Sequence, residues 1–367
     1  MPSSTSSSSE RLPALHYRKI WLLALTLSVA ILSGWEGFWR IKGYHQVLRS
    51  QDPREWALLR KTASSGGVRA VVLIGTSRIM ADFDIDTFAG ATGVRPVQLG
   101  IEGKSPLAVL ANLADDHNFK GTVICDFNEV FVYATEGTKN PRMNLSAQDF
   151  VKTFTDRSFL TDLLPARVDE YSHRFFTQTF VFQMPELSPT NSVHYFIRGQ
   201  LPPKLQDSGT ITKEGMTISL EGRQLTSDQI EKLREHFEEL TERCIKNTTT
   251  SDSLRADVAN YVDGMVRRIQ ARGGRVIFVC FPIGGRLWEI NERAYPKKDY
   301  WDFLAAHASG TWVHFSDYPT LSGYNLPDWS HLDAEGRLKF TKALTDILFN
   351  RPPTERKATL ARISGLS

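Results

Sequence analysis

Three stretches of this chain are apolar almost without a break and rich in β-branched residues. They are VRAVVLI (68–74), TVICDFN (122–128) and RVIFVCFP (275–282). RPVQLG (95–100) and WVHF (312–315) are shorter runs of the same kind. A strand with one wet face alternates apolar and polar residues; these do not, so both of their faces are expected to be covered. Helical spacing separates them. Ser105-Pro106 opens a helix carrying Leu107, Leu110 and Leu113/Ala114. Leu254, Val258, Tyr261/Val262, Met265 and Ile269 form one face of another, closed by Gly273-Gly274. Asp333 starts a last helix with Phe340, Leu344, Ile347 and Leu348 as its buried stripe. Strands alternating with helices in this way predict an α/β fold with a parallel sheet. In such sheets the working residues lie at the carboxyl ends of the strands.

Composition narrows the class. The 367 residues carry 44 basic and 41 acidic side chains, a net +3, too even for a nucleic-acid footprint. Mean hydropathy is −0.27, which excludes a polytopic membrane protein but leaves room for one anchor. Three scattered cysteines exclude a dense disulfide framework and any CxxC zinc module. The nine histidines show no HExxH or other metal spacing, and neither metal nor cofactor is expected.

The N-terminus divides sharply. Residues 1–19 read as a disordered, Ser-rich cytoplasmic tail ending in Arg18 and Lys19. Ile20 to Trp35 has no charge, and Gly37, Phe38 and Trp39 extend the apolar stretch past Glu36. Trp21, Trp35 and Trp39 fit an interfacial belt, and no A-x-A cleavage site precedes Glu36. Residues 20–39 are therefore expected to be an uncleaved transmembrane signal anchor. Arg40, Lys42 and Arg49 on the far flank nearly balance the basic residues before it. Residues 40–67 read as a connector, 68–350 as the globular domain and 351–367 as a polar tail. Within the domain, 135–270 interrupts the strand–helix alternation and is expected to form an insertion or lid, mostly helical after 226. Thr226 and Gln229 have capping-box spacing, and the charged helix they open reads as a solvated face.

Chemistry gathers at the strand ends. Gly75-Thr76-Ser77 follows the first strand, Gly100 the second and Asn128 the third; Asp328-Trp329-Ser330-His331 precedes the last helix. A serine hydroxyl is a poor nucleophile until a base takes its proton. Histidine does this near neutral pH when a carboxylate fixes its tautomer. The tetrahedral oxyanion needs fixed donors, and the N–H groups of Ser77 and Gly100 with the Asn128 side chain are the candidates.

These four blocks, G-[D/S/T]-S, Gly, Asn and D-x-x-H, resemble the SGNH (GDSL-like) hydrolase superfamily. The resemblance covers about 68–131 and 275–349. It implies a flavodoxin-like three-layer α/β/α fold and ester hydrolysis or acyl transfer. Ser77 would be the nucleophile, His331 the base and Asp328 its orienting carboxylate; Ser77, Gly100 and Asn128 would form the oxyanion hole. With an N-terminal anchor the chain resembles bacterial envelope proteins of polysaccharide O-acetylation. That implies a single-pass protein of the inner (plasma) membrane with its domain facing the periplasm or exterior. Its substrate would be an acyl, above all acetyl, ester of a cell-envelope glycan, and a membrane-bound O-acyltransferase is an implied partner. The alternative is a catalytically silent scaffold that binds polysaccharide or such a partner.

Two departures from the family pattern bear on the site. Thr76 stands where Asp is usual, and the third block reads DFNE, so Asp126 and Glu129 place two carboxylates near the expected oxyanion hole. Arg78 is expected to pair with an acid of the scaffold. GKS at 103–105 is rejected as a phosphate loop because Gln98 stands where the first glycine is needed. Cys125 and Cys280, inside apolar strands, read as buried free thiols.

Overall fold

The structure is a computed structural model that describes residues 14–43, 53–133, 147–160, 189–197, 227–246 and 251–350, with Leu187, Gly199, Leu201 and Thr248. The expected tail 351–367, the first 13 residues and most of 135–225, including Thr226 beyond it, lie outside the described residues. In chain order the elements are α1 (Ala14–Ile41), α2 (Pro53–Ser65), β1 (Val71–Ile74), α3 (Ser77–Ala81), α4 (Ile85–Thr92), β2 (Val97–Gln98), α5 (Leu107–Asp115), β3 (Thr122–Asp126), α6 (Glu129–Tyr133), α7 (Gln148–Leu160), α8 (Pro189–Ile197), α9 (Ser227–Lys246), α10 (Asp252–Gln270), β4 (Arg275–Cys280), α11 (Gly285–Ala294), α12 (Trp301–His307), β5 (Thr311–His314) and α13 (Ala334–Thr345).

The chain divides into two compact units, residues 1–46 with 171–202, and residues 47–170 with 203–367. The stretch read as a single insertion is therefore split: 171–202 belongs with the N-terminal helix, and the rest with the α/β unit. In the first unit α1 is continuous, and its Tyr17–Ile41 segment is long and apolar enough to cross a membrane by length and composition. Twenty-five residues rise about 38 Å, against a hydrocarbon core of about 30 Å. Glu36, the charge that interrupts the apolar run, is held 2.6 Å from Arg40 one turn later.

The second unit carries a five-stranded, wholly parallel sheet in the order β2-β1-β3-β4-β5. The central strands are buried on both faces, as their unbroken apolar runs require. Each buried Val, Leu or Ile contributes about 1.5–3 kcal/mol, so one register slip in β1 or β3 would be costly. Right-handed crossovers put β1→β2 on one face of the sheet and the later connections on the other. The helix contacts agree: α4 meets α13, while α5 meets α10 and α10 meets α12. The α10 stripe of Leu254, Val258, Val262, Met265 and Ile269 is buried as its spacing predicts, and Ser251 caps the helix. Both β1 and β3 sit at the point where the connections reverse direction. Their carboxyl ends open the crevice in which ligands of doubly wound sheets bind.

Candidate active site

Ser77 and Asn128 occupy the two lips of that crevice. Gly75 makes the turn out of β1 with φ 143°, and a Cβ there would stand 2.4 Å from Asp126 Cβ. Only glycine lets the β1 and β3 ends approach so closely. Thr76 caps α3, and Ser77 is the first residue of that helix, where the N–H has no intrahelical acceptor.

His331 reaches Ser77 across 254 residues of sequence, with Nε2 2.9 Å from Ser77 Oγ. Its Nδ1 lies 3.0 Å from Asp328 Oδ2. The other Asp328 oxygen accepts the Ser330 N–H at 3.0 Å and the His331 N–H at 2.8 Å. Asp328 and His331 are 3% and 1% exposed, so the pair is almost dry, while Ser77 is half-buried. Trp329 between them has φ 65°, an unusual conformation for a bulky residue. Three contacts hold it. The Gly284 N–H donates to Trp329 O at 2.9 Å, Arg234 lies 4.9 Å from the indole centre, and the indole fills the space a Gly285 side chain would need.

The loop is also tied to the serine side. Asp82, just after α3 and fully buried, accepts the Leu332 N–H at 2.8 Å. Thr341 of α13 accepts the Asp84 N–H at 2.8 Å, and Arg337 lies 3.2 Å from Asp84. These bonds join the last helix to α3 and α4, and so bring the base to the nucleophile.

Burial disfavours charge on His331, but the Asp328 carboxylate and its hydrogen bond outweigh it, with Asp82 adding to them against Arg78; the imidazole is held above its ordinary value. Burial likewise pushes Asp328 up, and the His331 charge and the hydrogen bonds bring it below the usual carboxylate range. A base must be neutral to accept a proton. The acid limb of a kcat/KM profile is therefore expected to have its midpoint above about pH 6.5, moving down in Asp328→Asn; a wild-type midpoint near about 5 would contradict this geometry.

The two departures in sequence are resolved together. The Thr76 N–H and hydroxyl donate to Asp126 Oδ2 at 3.0 and 2.6 Å, so Asp126 turns toward the β1 turn. A carboxylate at position 76 would face this acid; a threonine supplies two donors to it. Burial pushes the Asp126 carboxyl up and raises Glu129 to about 7, with Arg78 drawing both back. Neither acid lines the cavity beside Ser77. Arg78 does line it, is buried, and has no ion pair within 4 Å among the described residues, unlike the scaffold pair expected of it.

Asn128 lines the cavity, and its side-chain oxygen accepts the Val130 N–H at 3.1 Å, leaving the NH2 as the donor end. Gly100 is different from expectation. Its N–H donates to Gln98 Oε1 at 2.8 Å, and a Cβ there would meet Ile79 and Met80 of α3, so this glycine serves close packing. The glycine that lines the cavity is Gly103, beside Glu102. In the sequence its one distinguishing context is the GKS triplet, which fails as a phosphate loop.

The cavity holds about 140 Å³ and is roofed by α9, through His236, Phe237, Leu240 and Thr241. The Phe237 ring lies 5.4 Å from that of His331, and Arg234 donates to Pro327 O at 2.8 Å. This charged helix, read as a solvated face, thus gives its apolar side to the site. The signal was present in its i, i+3, i+4 spacing at Phe237, Leu240 and Thr241. Among the described residues no cluster of His, Cys, Asp or Glu is arranged to hold a metal, and the three cysteines are free and buried. Set beside known proteins, this chain matches no protein-family model and no curated protein, so its function is argued from the geometry of Ser77, His331 and Asp328.

Proposed function

We propose that this protein is a serine esterase or O-acyltransferase of the SGNH type, anchored by α1 and acting on acyl esters of a cell-envelope glycan. The observation that carries it is the continuous chain Asp328–His331–Ser77, with separations of 3.0 and 2.9 Å. The Nδ1 proton of His331 is held by Asp328, which leaves the Nε2 lone pair for the Ser77 hydroxyl proton. Ser77 Oγ attacks the ester carbonyl as that proton moves to Nε2. The Ser77 N–H and the Asn128 NH2 are the donors for the resulting oxyanion. Collapse breaks the bond to the alkoxy group, which leaves with the proton from Nε2, and Ser77 is acylated. Water or a sugar hydroxyl then gives its proton to His331 and takes the acyl group. The small cavity suits a short acyl group such as acetyl, and α9 limits the access of water, which favours an alcohol acceptor.

Full-length protein treated with a fluorophosphonate and digested should carry the adduct on the peptide containing Ser77, with hydrolysis of p-nitrophenyl acetate blocked in step. A folded wild type that neither labels nor turns over any acyl ester would instead support the silent scaffold, which keeps the fold to bind glycan or a membrane acyltransferase. The engaged N–H of Gly100 is the observation on that side, because it removes one of the three expected oxyanion donors.

The anchor reading places the domain on the periplasmic or outer side of a bacterial plasma membrane. Alkaline phosphatase fused after residue 350 should then be active in cells, and a fluorescent protein that folds only in the cytoplasm should be dark. The reverse pair of results would overturn both anchor and export.

A further inference from the structure

The first unit holds a second membrane-directed feature. Trp35, at the C-terminal end of α1, donates its indole N–H to Leu187 O at 3.0 Å. Trp39, one turn on, stacks flat on Phe196 of α8, with ring centres 5.9 Å apart and planes at 1°. Phe38 meets the same ring edge-on at 6.1 Å. Thus α8, about 150 residues later in the chain, is seated on the tryptophan-rich end of the candidate span.

Its outward face is the wrong kind for water. Val193, Phe196 and Ile197 follow i, i+3, i+4 spacing and so share one side of the helix. They are 53%, 40% and 80% exposed, while Ser192 beside them is fully buried. A helix on an aqueous surface shows the opposite order, with apolar residues inside and small polar ones outside. Leu201 extends the exposed apolar residues past the helix end. The patch also continues a surface that already calls for lipid: the α1 residues Ile20 to Leu32 are exposed along their length. Lys42 lies 5.8 Å from the Phe38 ring, where its stem covers the aromatic and its charge reaches the headgroups.

We propose that α8 is an interfacial helix: docked on Trp35, Phe38 and Trp39, it buries Val193, Phe196 and Ile197 in the headgroup–acyl boundary of the membrane that α1 crosses. The occupant of this face is lipid because the face is continuous with the span and shares its aromatic belt. The inference rests on the anchor reading of α1 and is independent of the acyl-transfer reading. It gives the anchor two points of attachment, one crossing and one lying along the surface, joined by the aromatic cluster.

The test uses the full chain in vesicles of phosphatidylcholine with a minority of phosphatidylglycerol. Ile197→Cys and, separately, Leu25→Cys are labelled with a maleimide form of the fluorophore NBD; Cys125, Cys244 and Cys280 are buried and stay unlabelled. The Ile197 label should emit to the blue of aqueous NBD and be strongly quenched by phosphatidylcholine bearing a nitroxide high on its acyl chain. Aqueous iodide should quench it little. The Leu25 label should be lipid-quenched as well. Iodide quenching at 197 with lipid quenching at 25 overturns the interfacial helix and leaves the anchor standing. Shielding of 197 from both quenchers means a protein contact covers the face and also overturns it. Water exposure at both positions overturns the anchor itself, and this inference with it.

Discussion

Ser77→Ala should abolish fluorophosphonate labelling and lower kcat on an acyl ester by roughly six orders of magnitude, the loss typical when a serine nucleophile is removed. No neighbour can take over. His331 Nε2 has no other hydrogen-bond partner among the described residues, and the nearby acids Asp126 and Glu129 are buried and turned from the cavity. The fold should hardly notice. The substitution removes one half-buried hydroxyl and one hydrogen bond, about 0.5–1.5 kcal/mol. A thermal melt near that of wild type, with both labelling and turnover gone, is the expected pair of measurements. Robust turnover by a folded Ser77→Ala protein would remove Ser77 from the nucleophile's role.

Asp328→Asn should cost about 10⁴ in kcat, for a reason visible in the hydrogen bonds. Asp328 Oδ1 already accepts two backbone N–H groups, from Ser330 and His331. The oxygen of an asparagine must keep that position, so its NH2 faces His331 Nδ1. The imidazole is then driven to the other tautomer, with its proton on Nε2 toward Ser77. A ring in that state cannot accept the serine proton. Labelling should slow in parallel with turnover. Full activity in Asp328→Asn would mean that another group orients the imidazole, and Asp82 would be the first to test. His331→Ala, which removes the base itself, should be more severe than Asp328→Asn and nearly as severe as Ser77→Ala.

The parts legible in the sequence share a physical cause. A strand buried on both faces cannot hide its composition. Val71–Ile74, Thr122–Asp126 and Arg275–Cys280 are therefore evident from their residues alone, though each strand is shorter than the apolar stretch that contains it. The same holds for α10 and α13, whose one-sided burial imposes a helical period. The two-residue β2 and the helices α4, α11 and α12 are poorly legible. They are short, and α11 is largely polar, so packing rather than local periodicity decides them.

At the site, the sequence by itself determined which chemical groups stand at the strand ends: a serine after a glycine turn, an asparagine after β3, and Asp328 three residues before His331. Local geometry is enough for that, because a short turn leaves few places for a side chain to go. Only the tertiary structure decided which groups meet. It carried His331 to Ser77 through the Asp82–Leu332 bond and the α13–α4 contacts. It turned Asp126 toward Thr76, gave the Gly100 N–H to Gln98, and laid Phe237 of α9 against the base. It also divided the long insertion, sending 171–202 to the unit of α1. Each of these is a pairing between segments that local spacing does not connect. Burial sets such pairings by requiring every dry polar group to find a partner, and no local pattern of residues encodes which partner it will be.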